Sequence, residues 1–272
     1  MARYSITPVA MAAGLWANRA LIGLLVVREI VGRYRGSVMG LLWSFFHPLL
    51  MLAVYTFVFS VVFKARWGER GESQVEFALI LFAGLMIYSL FAECVGRAPS
   101  LVLGNVNFVK RVVFPLEVLP WVALGSALFH FAVSLLVWLA AYTAAFGPPP
   151  PSALWLPVVA IPLVFIILGL SWFLAAIGVY VRDVAQVVGV LVTTLLFLTP
   201  IFYPVEILPE QFRDLIALNP LTAIVGWGRD VLIWGKLPDW ATFGLFTAMS
   251  FIVMWLGFAW FQKTRKGFAD VI

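Results

Sequence analysis

Few groups in this chain could do chemistry inside an apolar stretch. His47 and His130 fall in different apolar runs, with no histidine or carboxylate three or four residues away, so neither can form a metal pair on one helix face. His47, directly before Pro48, reads as a helix-start residue, and His130 reads as an interhelical hydrogen-bond donor. Cys94 is the single cysteine, which removes intrachain disulfides and thiolate metal clusters. Glu93 is the one carboxylate within an apolar run. Arg97 follows one helical turn later, and the expected relation is a local ion pair near the membrane boundary. No G-x-x-x-x-G-K-[ST] occurs, so the chain is not itself a P-loop ATPase, and if it is powered the motor is another polypeptide. The expectation is a chain that is not an enzyme, with no catalytic residue, no metal and no cofactor of its own.

What remains is weak apolar contact. Aromatic residues make up 16% of the chain, with 24 Phe and 12 Trp, and flat rings can hold a polar polymer without trapping it in strong hydrogen bonds. Most such rings in a membrane protein serve packing and interfacial belts. In the first apolar run Trp43, Phe46 and Phe57 share one helical row, while Phe45, Tyr55, Phe59 and Phe63 share another. Periodicity alone leaves open which row faces a pathway.

The elements that must carry these residues are set by lipid. Between Glu117 and Arg182 lie 64 residues without a charge, long enough for two spans of roughly 20 residues each. Gly147 and the four prolines 148–151 divide that stretch, and prolines stripped of donors belong where water reaches the freed carbonyls, so it reads as a helical hairpin. An apolar fraction of 63% and a mean hydropathy of +1.03 fit one polytopic membrane domain. The net charge of +5 does not point to nucleic acid, because no long basic cluster accompanies it.

Six runs with few or no charges emerge, at about Ser37 to Phe63, Phe77 to Gly96, Val118 to Phe146, Leu154 to Val181, Val184 to Val205 and Trp240 to Phe261. The expected fold is all-α: six transmembrane helices, an N-terminal amphipathic interface helix, and a re-entrant helix pair before the last span. Placing both termini in the cytoplasm puts twelve basic residues inside and six outside, as the positive-inside rule requires. The apolar run up to Trp16, cut short by Asn18 and Arg19, is too brief for a cleaved leader, so the N-terminus is expected to be retained.

Two domains of unequal size are expected: a cytoplasmic segment over 1–36 and the six-span transmembrane domain over 37–272. In the first, Arg28, Glu29, Gly32, Arg33 and Arg35 share one helical arc opposite Ile30, Val31 and Tyr34. That pattern fits a helix resting in the headgroup layer, or a plain positive anchor for the first span. The segment over about 97–117 is polar, proline-bracketed and too short to bury its own apolar side, so it must dock on the bundle or another subunit. Over about 204–239, two short amphipathic pieces around Asn219-Pro220, flanked by Trp227, Trp234 and Trp240, read as helices dipping partway into the outer leaflet.

Three stretches resemble the membrane subunit of type 2 ABC transporters, in the branch that exports polysaccharides such as O-antigen, capsule and teichoic acid. Arg28 to Arg35 with Gly36-Ser37-Val38-Met39-Gly40-Leu41-Leu42-Trp43 and His47-Pro48 is similar to the family's interface helix entering span one. Asn107-Phe108-Val109-Lys110-Arg111-Val112-Val113-Phe114-Pro115 with Glu117-Val118-Leu119-Pro120 is similar to its cytoplasmic coupling segment. Arg182-Asp183-Val184, Leu198-Thr199-Pro200-Ile201-Phe202-Tyr203-Pro204 and Leu218-Asn219-Pro220-Leu221-Thr222 are similar to the path through span five into the re-entrant pair.

The resemblance implies a homodimer with two copies of an ABC ATPase subunit in the bacterial inner membrane. A lipid-linked polysaccharide would move through a channel at the dimer interface. The implied pathway residues are Trp43, Phe46, Tyr55, Phe57, Phe59, Phe197, Phe202 and Tyr203. Those implied for ATPase coupling are Asn105, Asn107, Phe108, Lys110, Arg111 and Phe114, and the interface helix contributes Arg28, Arg33 and Arg35. An exporter of lipids or drugs from the wider class is the alternative, and a secondary transporter is a more distant one.

Overall fold

The computed structural model describes residues 5–58, 74–110 and 114–271. Phe59 and Arg111 lie outside the described residues, as does the side chain of Lys110. Among the described residues all regular structure is helical.

The chain opens with α1 (Pro8–Ala17), an element not anticipated from the sequence. Thr7 caps it by accepting from the Ala10 N–H at 3.2 Å, and Pro8 occupies the first turn, where its missing donor costs nothing. At Asn18 the axis bends by 66° into α2 (Arg19–Tyr34). Gly36, at φ 84°, then turns the chain into α3 (Trp43–Tyr55), which a short 3-10 turn at Gly40–Leu42 precedes. His47 therefore sits inside α3 and not at its start, a correction to the reading based on Pro48.

α4 (Gln74–Arg97) is the central helix: from Phe77 to Phe91 every residue is buried except Ser89. α5 (Val106–Lys110) leads to α6 (Leu119–Phe146), which stops at Gly147. The hairpin follows as expected, with the prolines in the turn before α7 (Leu156–Val159) and α8 (Ile161–Tyr180). α9 (Val184–Leu198) precedes the short pair α10 (Glu210–Ala217) and α11 (Pro220–Arg229), then α12 (Trp240–Thr264) and α13 (Phe268–Val271).

Among the described residues five helical stretches, 40–58, 75–100, 116–146, 151–180 and 240–271, are long and apolar enough to cross a bilayer. The fifth expected span falls short. α9 has 15 residues, about 22 Å of rise against a hydrocarbon core of about 30 Å. It ends at Thr199, not Val205, because the residue before a proline is pushed out of the helical region, and Thr199 is extended at φ −89°, ψ 135°.

Two ends of the bundle can be told apart by contacts. At one, Trp172 Nε1 donates to the Glu117 carbonyl at 3.1 Å and Tyr180 Oη donates to Thr264 O at 2.8 Å. At the other, Trp138 Nε1 donates to Leu79 O at 2.9 Å and Ser152 Oγ donates to Val231 O at 2.7 Å. They are called below the Glu117 end and the Ser152 end.

α8 and α12 approach most closely. A Cβ on Gly169 would meet Val253 O at 2.6 Å, and one on Gly257 would collide with Gly169 O, so two glycines let the backbones touch. Gly257→Ala should therefore lower stability by about 1–3 kcal/mol through overpacking. Gly244→Ala, in open space on the same helix, should be neutral or slightly stabilising. Thermal midpoints of the purified variants check this, and equal behaviour of the two would remove the crossing as the cause.

Candidate functional site

The break after α9 leaves backbone carbonyls without intrahelical donors. Arg229, fully buried near the end of α11, supplies them. Its Nη1 donates to Pro200 O at 2.7 Å, its Nη2 to Ile201 O at 2.8 Å, and its Nε to Ile80 O of α4 at 3.1 Å. Gly84 makes room for it: a Cβ there would lie 2.5 Å from Arg229 Nη2. Asn219 adds a second tie, capping α11 through the Leu221 N–H at 3.0 Å while its Nδ2 donates to Thr199 Oγ1 at 2.9 Å. α10 is exposed apart from Ile216, whereas Leu221, Ile224, Val225, Gly228 and Arg229 bury one face of α11. Trp227, read as interfacial, instead meets Phe243 and Phe246 of α12 edge-on at 5.3 and 5.2 Å, because an edge-to-face stack is available within the protein.

Toward the Glu117 end a charged cluster joins α2, α4 and α6. Arg33 pairs with Glu93, and its Nη1 lies 3.1 Å from His130 Nδ1, which is also 3.3 Å from the Glu93 carboxylate. That nitrogen can accept from the guanidinium or donate to the carboxylate, but not both at once. The other ring nitrogen, Nε2, is 3.0 Å from Tyr34 Oη. The expected Glu93–Arg97 pair is the loosest contact at 3.9 Å, since Arg97 turns instead to Glu29 of α2 at 2.7 Å. The charged arc of α2 thus divides: Glu29 and Arg33 face α4, while Arg28 and Arg35 remain exposed.

Behind this cluster lies a cavity of about 600 Å³ between α2, α3, α4 and α6. α3 contributes Trp43, Ser44, His47, Pro48, Met51 and Tyr55 to it. Its opposite side, with Phe45, Phe46, Leu49, Leu50 and Phe57, is bare. The row that the helical count assigned to Trp43, Phe46 and Phe57 is therefore split, with Trp43 facing the cavity and the other two facing outward. α9 is similarly bare, with Val188 alone buried. Phe197 stacks on Phe202 at 5.9 Å, and Tyr203 Oη donates to Phe197 O at 2.9 Å, so these three rings form one group at the break.

In the segment expected to couple to an ATPase, Asn107 is exposed, while Asn105 uses its Nδ2 on Leu101 O at 2.9 Å. Phe108 stacks flat on Phe114 at 4.1 Å, with the Arg28 guanidinium 5.8 Å from the Phe108 ring. Arg265 fastens the C-terminal end here, reaching Glu117 Oε2 at 2.5 Å and Phe114 O at 3.0 Å.

Arg229 was missed by sequence reasoning, which counted it with the exposed loop charges. A signal existed: Leu221, Ile224, Val225, Gly228 and Arg229 follow the i, i+3, i+4, i+7, i+8 pattern of a buried stripe. Nothing in the local sequence ties Arg33 to Glu93, 60 residues away.

Comparison with known proteins gives a consistent picture. The family model described as ABC-2 type transporter matches residues 20–233. The O-antigen export system permease protein RfbA of Myxococcus xanthus is 32% identical over 260 residues, covering 95% of this chain and 97% of that protein. A Klebsiella pneumoniae protein of the same name is 28% identical, covering 93% and 96%. The polysialic acid transport protein KpsM of Escherichia coli is 22% identical over 255 residues, with the same coverage of 93% and 96%.

Arg229→Gln should destabilise the fold by roughly 3 kcal/mol or more, since charge-assisted bonds to several buried carbonyls are lost together. Arg229→Lys should fall between the two, keeping the charge without the fork. The readouts are thermal midpoint and thiol labelling of a cysteine placed at Ile201, buried in the native chain. Unchanged midpoints and labelling in Arg229→Gln would show that the break is held by other contacts.

Proposed function

The chain belongs to the ABC-2 type transporter family, and from that premise we propose that it is the membrane subunit of an ATP-driven exporter of a lipid-linked polysaccharide. The observation that carries the substrate class is the near full-length similarity to proteins named as O-antigen permeases and a polysialic acid transport protein. Two copies of this chain would work with two ATPase subunits, which would hold the ATP and Mg. The complex would sit in the bacterial inner membrane with both termini cytoplasmic. The exposed tip of the coupling segment at Asn107 would meet the ATPase, with Asn105, Phe108, Lys110, Arg111 and Phe114 shaping that surface. Arg28 and Arg35 of α2 would lie in the headgroup layer.

The pathway in this reading runs between copies of α3 and α9. Two observations support it. Both helices are apolar and thinly covered, and each presents rings outward: Phe46 and Phe57 on the α3 stretch, Phe197 on α9. The group of Phe197, Phe202 and Tyr203 beside the backbone break would form its outer mouth. Rings and aliphatic surface make contacts too weak and too general to select one sugar residue, so polymers of many lengths would pass.

Deleting the gene should cause its glycan to accumulate inside the cell, which identifies the cargo. With Cys94→Ser as background, cysteines at Phe46 or Phe57 should cross-link two copies in membranes. Phe46→Ala and Tyr203→Ala should reduce export while leaving assembly with the ATPase intact. Positions on α3 that react with lipid-phase probes alone, in the loaded complex, would reject this pathway.

The orientation is checked separately. In the same background a cysteine at Ser152 should label with an impermeant thiol reagent in intact cells, and one at Asn107 should not. The reverse pattern would invert the topology.

A further inference from the structure

The cavity bounded by α2, α3, α4 and α6 has a polarity gradient that neither packing nor the proposed export pathway explains. It follows α4 from Glu93 to Phe82, roughly 16 Å of helical rise. At the Glu93 end its walls are Arg33, Tyr34, Glu93 and His130; one turn deeper stand Ser89 and Ser134. At the far end they are Met51, Leu85, Met86 and Phe82, with Tyr55 beside them. Ser89 is the one exposed residue in the buried stretch of α4, and it is exposed because it faces this space.

Water is a poor occupant for the whole of it. A space of 600 Å³ would take on the order of 20 waters at about 30 Å³ each, and each needs two or more polar partners. The thioethers and aliphatic groups of the deep end offer almost none. An apolar chain fits that end, and a polar head fits the mouth. The mouth also discriminates among heads, because its fixed charges are one guanidinium and one carboxylate. Arg33 and Glu93 pair with each other, both meet His130, and Glu93 has Arg97 at 3.9 Å, yet they remain 36% and 22% exposed, so a head group can still reach them. A purely anionic head would satisfy Arg33 and be opposed by Glu93. A head with both a phosphate and an ammonium satisfies both.

We propose that this cavity is a binding site for one zwitterionic phospholipid of the phosphatidylethanolamine type. An acyl chain lies along α4 toward Phe82, the phosphate meets Arg33 and Tyr34, and the ammonium meets Glu93. α3 forms the outer wall and is bare on its other side, so surrounding lipid is one helix away. The site is distinct from the α3 and α9 faces assigned to the pathway, and it does not depend on what the complex exports.

The test uses the full chain purified from membranes with its ATPase partner, washed in mild detergent and exchanged against defined phosphatidylethanolamine or phosphatidylglycerol. Retained lipid is measured by native mass spectrometry. Phosphatidylethanolamine should be retained in preference to phosphatidylglycerol by the unaltered complex, a comparison that needs no variant. Ser89→Trp, or Ser134→Phe if that variant fails to fold, should fill the cavity and reduce retention roughly tenfold with assembly preserved. Glu93→Gln should shift the preference toward phosphatidylglycerol. Equal retention of the two lipids by the unaltered complex would overturn the assignment. So would retention unchanged by a folded cavity-filling variant, or exclusive retention of the glycan's own lipid carrier.

Discussion

A backbone carbonyl at membrane depth must find a donor within the protein, and much of this structure follows from how one break meets that demand. α9 stops short at Thr199-Pro200, and the carbonyls of Pro200 and Ile201 just beyond it are taken by Arg229. The same guanidinium holds Ile80 O of α4, so the short helix α11, the chain just past α9 and the central helix share one anchor. Burying a guanidinium is costly unless its donors are used, and here all three nitrogens face oxygen. Asn219 strengthens the arrangement by capping α11 and bonding Thr199, which fixes where the pair enters relative to where α9 ends. Without such ties, α10 and α11 would be amphipathic fragments too short to persist alone.

α4 is the element on which both ends of the bundle are organised. Near its start, the carbonyls of Leu79 and Ile80 accept from Trp138 and Arg229. Near its finish, Glu93 draws Arg33 of α2 and His130 of α6 together, and Arg97 takes Glu29. The polar groups are thus gathered at two levels, with an apolar stretch between them that has just one gap in its burial, at Ser89. α2 is consequently held by charge against α4 rather than simply floating in the headgroup layer.

Much of this was legible in the sequence, and its limits are physical. The charge-free stretch from 118 to 181 read as a hairpin because it is long enough for two spans and a run of four prolines cannot continue a helix, and Pro148 to Pro151 lie between its two arms. The junction between α10 and α11 was legible from Asn219-Pro220 because a cap followed by a first-turn proline is a local signal. Arg229 was not, because charge alone suggests solvent and its partners lie in segments whose approach is tertiary. The same holds for Glu93: an i+4 arginine is visible in one dimension, whereas Arg33 is brought to it only by the bend of α2 and the turn at Gly36. α1 escaped notice because its apolar run is too short to span, and its reason for folding is contact with the bundle, where Trp255 Nε1 donates to Ile6 O at 2.8 Å.

Coverage differs sharply among the helices, and that difference bears on what a transport subunit requires. α4, α6, α8 and α12 carry the core and meet through buried tryptophans and touching glycines, so they form a stiff body. α3 has only Ser44 and Pro48 fully buried and α9 only Val188, so each is attached along one narrow line. Elements attached along one line can shift against a fixed body, because packed cores do not deform continuously. The Arg229 anchor fastens the chain just past α9 at the Ser152 end, where the backbone is broken, while Tyr88 Oη of α4 donates to Val192 O and holds the helix midway.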